Sequence, residues 1–298
     1  MYATVYLVLV LSVLATPIAC IAGRRMAPDV AAKFLCATSL VASICLVWAL
    51  GLLSGAAVGS EARGWWSAVG SPVPIPVPDW VSVTASFALI VAMARCLHMA
   101  VRHASLRREA DAFLESRAQS DLVIVDDPTP RAFTLWGTSA RIVVTTGMLR
   151  ALPPVERRVL LAHERAHLAH HHHRYQVTMR LAVALNPAVD AMSPNLNYAL
   201  ERWADEDAAA VVGDRPAAAE SLARAALLTT EPRASSTLAY AGLGVVDRVA
   251  ALRDEPPTRR RLIGIFCFGI VAGPAAAALI DATLSFVRLL DNVGVVHR

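Results

Sequence analysis

Two stretches decide how this 298-residue chain is read: Leu160-Leu161-Ala162-His163-Glu164-Arg165-Ala166-His167-Leu168 and, further on, Tyr198-Ala199-Leu200-Glu201-Arg202-Trp203-Ala204-Asp205. The first sits in a helical pattern. Pro153 and Pro154 suit a helix start, Glu156 favours the positive end of the dipole, and Val159, Leu160, Ala162 and Leu168 supply apolar positions. The second reads as helix from about Tyr198 to Val212, stopped by Gly213. Histidines four apart share one face of a helix, so both imidazoles of the first stretch can reach one metal ion, and the glutamate beside the first can face a water on that ion.

The residue types follow from the chemistry of a catalytic zinc site, which takes three protein ligands and keeps a fourth position for water, whose pKa falls to roughly 7. His163, His167 and Glu201 are the expected ligands of one zinc ion. Glu164 is too close in sequence to bind the same ion; it is the expected general base, taking a proton from the attacking water and passing it to the leaving amine. Asp205, one helical turn after Glu201, is placed to hydrogen-bond the outer nitrogen of a ligand histidine, His163 first among them. A lone HExxH arises by chance, but the second motif at this distance gives the complete ligand set. Four consecutive histidines, His170 to His173, point in four directions around a continuous helix; they read as a solvated or headgroup-facing polar stretch in preference to auxiliary metal ligands. His98, His103 and His297 have no partners in sequence and no assigned role.

At 56% hydrophobic residues and a mean hydropathy of +0.48, the chain is too apolar for an ordinary soluble enzyme. Residues 2–23, 34–56, 80–101 and 262–280 form apolar runs, each long enough to cross a bilayer; among them only the third carries charge-capable residues, Arg95 and His98 near its end. These two are read as snorkelling toward the inner surface. The first run has no basic start and is followed by Arg24-Arg25, which favours an uncleaved anchor over a signal peptide. Arginines cluster after the first and third runs and before the fourth, so both chain ends are expected outside and residues 102–261 in the cytoplasm. The outer connection holds Trp65-Trp66 and the Pro-rich stretch 71–78, read as a stiff connector with interfacial anchors. The five cysteines have no metal-ligand spacing, and the charge of +4 lies at membrane boundaries with no aromatic interleaving, so direct nucleic-acid binding is not indicated.

The expected architecture is a mainly α membrane protein in three parts: residues 1–101 with three spans, a cytoplasmic α+β domain over 102–261, and 262–298 with the fourth span and a short outer tail. Within the middle part a charged helix over Ala104 to Ala118 precedes short strands at Leu122 to Val125, Ala132 to Leu135 and Arg141 to Thr145, and then the helices of the metal site. Proteases commonly hold substrate as an added strand on a sheet edge. Ala132, Phe133 and Thr134, in the stretch Ala132 to Trp136, are the candidate substrate-binding residues, with a buried structural strand the equal alternative.

Arg131-Ala132-Phe133-Thr134, Arg141-Ile142-Val143-Val144-Thr145, the His163 to Leu168 motif and the Glu201 to Asp205 motif, all between apolar runs, resemble the BlaR/MecR-type membrane metallopeptidases. The resemblance implies a four-span bundle with a gluzincin-like zinc domain on the cytoplasmic side of a bacterial inner membrane, a protein or peptide substrate, and loss of a BlaI/MecI-type repressor as the outcome of cleavage. The antibiotic-sensing members carry a penicillin-binding domain after the fourth span; here only a short tail follows it, so a sensorless relative is expected. The ligand pattern is similar as well to the HtpX and CAAX-processing membrane families, which implies a quality-control protease as the alternative. A zinc-binding signalling protein without turnover is a third reading, against which the presence of Glu164 counts, because metal binding alone does not need it.

Overall fold

The computed structural model describes residues 2–66, 78–115, 120–229, 237–255 and 261–292. Three long helices come first, α1 (Tyr2–Gly23), α2 (Pro28–Trp66) and α3 (Asp79–Glu115). A small sheet follows, β1 (Leu122–Val125), β2 (Ala132–Leu135) and β3 (Arg141–Thr145), with the strand bounds expected from the sequence. Then come α4 (Thr146–Ala151), α5 (Pro154–Ala169), α6 (His172–Leu185), a 3-10 turn (Pro187–Met192), α7 (Ser193–Val212), α8 (Arg215–Thr229), α9 (Thr237–Arg253) and α10 (Arg261–Asn292).

Helices cover all four apolar runs. Among the described residues, Pro28–Gly55 and Asp79–Glu115 are long and apolar enough to cross a membrane, and Leu14–Gly23 is a shorter apolar stretch. The Pro-rich stretch 71–77 and residues 116–118 of the expected charged helix lie outside the described residues. The expected boundary at 101 and 102 falls inside α3, which runs on without interruption to Glu115.

The metal-site helices share their core with the apolar bundle. Met179 and Ala182 of α6, Val189 and Met192 of the 3-10 turn, and Leu196, Leu200 and Trp203 of α7 are buried against Ala19 of α1 and Ala31, Phe34 and Leu35 of α2. Arg95, near the end of the third apolar run, donates to the Val183 carbonyl at 3.3 Å. That carbonyl belongs to the last turn of α6, where a helix has no intrahelical donor left to offer.

The sheet has the order β1-β3-β2, with β1 parallel and β2 antiparallel to β3. Strand alternation sends Ile142 and Val144 to one face, against Leu160, Leu161 and Leu168 of α5, and Val143 to the other, against Leu114 and Phe113 at the end of α3. β2 is therefore an edge of the sheet lying beside the metal-site helix. Thr145 closes β3 and caps α4, its hydroxyl accepting from the Met148 N–H at 3.2 Å.

Candidate metal centre

α5 begins at Pro154, where the missing N–H costs nothing, and carries His163, Glu164 and His167. α7 ends at Gly213, whose φ of 75° gives the left-handed cap, and carries Glu201 and Asp205. The two helices lie against each other through small residues: Ala162 on α5 and Ala208 and Ala209 on α7 are buried in one cluster. That close approach brings the two motifs together.

His163 Nε2 and His167 Nε2 are 3.1 Å apart, and Glu201 approaches them with Oε2 at 3.5 Å from the first and Oε1 at 3.6 Å from the second. Donor atoms held about 2.0–2.1 Å from a tetrahedral zinc stand roughly 3.3 Å from one another, close to the separations seen here, where each histidine meets a different oxygen of Glu201. His163, His167 and Glu201 form the group able to hold a metal ion among the described residues.

The outer nitrogens are also engaged. His163 Nδ1 lies 3.1 Å from Asp205 Oδ1, the contact expected from the sequence. Asp205 is in turn held by Arg248 of α9, whose Nε and Nη2 donate to its two oxygens at 2.8 and 2.7 Å, while Nη1 is 3.0 Å from Glu201 Oε2. Arg248 was not among the residues singled out from the sequence. α9 is itself fixed by Arg215, which donates to the Leu252 and Ala251 carbonyls and to both oxygens of Glu206. On the other candidate ligand, His167 Nδ1 is 2.7 Å from Nδ1 of His172.

His172 corrects the reading of the histidine run. α5 stops at Ala169, and His171 takes a left-handed conformation with φ of 52°, so the helix breaks inside the run and the ring of His172 turns back toward His167. The four side chains accordingly leave the pattern of a continuous helix. His172 is 1% exposed, His170 stacks on Trp203 at 4.3 Å and pairs with Asp207 at 2.5 Å, and His173 stacks on Trp136 at 3.7 Å. Only His171 is exposed.

Glu164 is buried, and its Oε2 accepts from the Thr134 hydroxyl at 2.8 Å. Ala132, Phe133 and Thr134 are thus placed differently from one another. Ala132 packs with Ile142, Val144 and Met148 and lines a cavity beside the ligands; Thr134 faces Glu164; Phe133 is exposed on a groove bordered by Trp136 and His173. The cavity, of about 210 Å³, runs between α5, α7, α8 and α9, with Val159, Leu160, Ala208, Leu222 and Leu252 among its walls. A void of about 150 Å³ accepts benzene, so this one has room for a large apolar side chain.

Electrostatics fit a cation. Two carboxylates, Glu201 and Asp205, face one guanidinium. Burial would lower His163, but its hydrogen bonds to Asp205 and then Glu201 outweigh this and hold the ring up at about 10. Burial and then the charge of His163 push His167 down to about 4, so the ligand pair takes one proton and not two. Burial would raise Glu201, yet the His163 hydrogen bond and the charges of His163 and Arg248 hold it far below the carboxylate range. Burial would likewise raise Asp205, which Arg248 and His163 keep lowered. A divalent ion would answer the same excess negative charge with both histidines neutral, the state ligation requires. Glu164 differs: burial raises it, opposed by His163 and by the Thr134 hydroxyl. His172 is kept neutral, at about 3, by burial and then by His167 and His170.

Residues 94–197 match the family described as Peptidase family M48. The matched segment covers about a third of the chain, takes in the sheet, the HExxH helix and α6, and stops four residues short of Glu201. That family is one of metallopeptidases, and the match supports a peptidase acting on proteins or peptides. No solved structure matches this chain.

Proposed function

We propose that this chain is an integral-membrane zinc endopeptidase. The observation that carries the reading is the triangle of two histidine Nε2 atoms and a glutamate carboxylate at tetrahedral spacing, with the buried carboxylate of Glu164 next to it in the helix. His163, His167 and Glu201 would hold the ion; when bound, zinc supplies Lewis acidity that activates water and polarises a carbonyl. Glu164 takes the proton of the attacking water and returns it to the leaving amide nitrogen, and its raised pKa suits both halves of that task. Thr134 steers the base through Oε2. A substrate backbone added along the outer edge of β2 would pass beside Glu164, and the cavity behind Ala132 would receive one of its side chains.

The four apolar helices are read as spans. α3, at 37 residues, is roughly 55 Å long against an apolar layer of about 30 Å, so its last turns extend out of the bilayer and carry the sheet. The arginines after α1 and in the second half of α3, with those before α10, favour a cytoplasmic protease domain over residues 102–261. The likeness to BlaR/MecR-type enzymes supports regulated proteolysis of a transcriptional repressor at the inner membrane of a bacterium.

The test compares the N-termini of cellular proteins, by mass spectrometry, between cells expressing the chain and cells expressing Glu164→Gln at equal level. New N-termini that depend on Glu164 and fall in one or two proteins, a small repressor among them, are expected. Many new ends in membrane proteins would replace the regulatory role with quality control. Equal cleavage by both forms would remove Glu164 from the mechanism.

A further inference from the structure

We propose that His172 is the positioning residue of His167, accepting the hydrogen bond of its outer nitrogen and so fixing which nitrogen faces the metal. The inference rests on the reading of His167 as a ligand. His167 points Nε2 at His163 and Glu201, so a neutral ring that ligates through Nε2 carries its proton on Nδ1. That proton must have an acceptor, and Nδ1 of His172 is 2.7 Å away. His172 is then the tautomer protonated on Nε2.

Three further observations favour this assignment. Among the described residues, Nε2 of His172 is buried with no hydrogen-bond partner, and the ring packs against Trp203 with centroids 5.0 Å apart. An N–H among ring faces has a weak acceptor in the π-face it meets. A histidine kept only to fill space would turn a nitrogen toward a carbonyl or water. Next, the backbone accepts a left-handed residue at His171, rare outside glycine, and that bend is what returns the ring to His167. Finally, His170 and Trp203 stack on each other at 4.3 Å, and the ring of His172 packs beside that pair, 5.0 Å from Trp203 and 5.8 Å from His170, so packing limits its orientation.

The two ligand histidines thus have unlike supports, a carboxylate on His163 and a neutral imidazole on His167. A carboxylate raises the basicity of the ring it holds; an imidazole directs its partner with less charge.

The test uses the full-length protein in detergent micelles, with zinc affinity read by competition against a chromophoric chelator and folding read by melting of the zinc-free form. His172→Leu keeps bulk and removes the acceptor; it should bind zinc about 10- to 100-fold more weakly. His172→Asn places an oxygen near the position of Nδ1 and should restore most of that loss. Zinc held by the folded Leu variant as tightly as by wild type would overturn the proposal, as would an Asn variant no better than Leu. If the Leu variant does not fold, nitrogen spectra of the histidine-labelled, zinc-loaded wild type decide. An Nε2-protonated His172 coupled across the bond to His167 supports the role, and an Nδ1-protonated His172 excludes it. A wild type that binds no zinc removes the parent reading as well, which separates the two failures.

Discussion

The two sides of the candidate metal centre are built from opposite materials. On the side of α7 and α9, His163 and Glu201 are held by charge: Asp205 is 3% exposed and shares its oxygens between His163 and Arg248, and Arg248 reaches Glu201 as well. On the side of α6, His167 meets a neutral ring, that of His172, packed beside the stacked pair His170 and Trp203. The first arrangement fixes atoms through directional, charge-assisted bonds that weaken sharply when one partner is removed. The second fixes them by packing against a core shared with the apolar bundle. A site with one arm of each kind is anchored both to its own domain and to the helices α1 and α2.

The largest effect should come from breaking the charged arm. Arg248→Met leaves Asp205 buried beside Glu201 with no guanidinium between them, and losing one member of a buried pair costs about 3–5 kcal/mol. Zinc binding should fall with it, read by the same chelator competition, while melting of the zinc-free form reports the stability. Asp205→Asn should lower zinc affinity by roughly 10- to 100-fold, because the amide cannot supply the charge on His163. Full zinc affinity in both variants would show that the charged arm holds helices together and has no part in the metal site.

A smaller effect is expected on the outside of the imidazole arm. The His170–Asp207 pair is about one-third exposed, so His170→Gln should cost less than about 1 kcal/mol in melting and leave zinc affinity nearly unchanged. A large loss of zinc in this variant would mean that charge reaches His172 through the stack, and the contrast between the arms would disappear.

How much of this was legible in the sequence follows from the same contrast. The four residues His163, His167, Glu201 and Asp205 lie on two helices at spacings of one turn, and helical geometry alone places each pair on a common face. The strands were legible because runs such as Arg141 to Thr145 are short, β-branched and bounded by turns. Arg248 was not, because nothing in its own neighbourhood marks it: its role depends on α9 being laid against α7 and pinned there by Arg215. His172 was misread for a more specific reason. A period of 3.6 residues assumes an unbroken helix, and histidine, although enriched among left-handed residues, does not mark which member of a run of four takes the turn. The shared core of α6, α7 and the apolar bundle was missed because each of those segments has enough small and apolar residues to suit a self-contained domain equally well.

Glu164 is held by neither arm, and it gives the finest way to sharpen the comparison. Its pKa is raised by burial and lowered by His163 and by the Thr134 hydroxyl. Thr134 lies on β2, so the sheet adds to His163 in favouring the ionised carboxylate. Thr134→Val keeps the volume and removes the donor that favours the ionised carboxylate. Glu164 should then rise further, and the pH below which kcat/KM falls should move upward. A hydrogen bond of about 1 kcal/mol corresponds to roughly 0.7 in pH. Activity well above that pH should change little, since the base is ionised there in both forms, and the loss should grow as pH falls. Zinc affinity should stay near wild type, since Thr134 touches no ligand atom. An acid limb that stays in place while zinc affinity drops would put Thr134 in the metal site's packing and leave the pH dependence to the charged arm, where a protonated Asp205 would release His163.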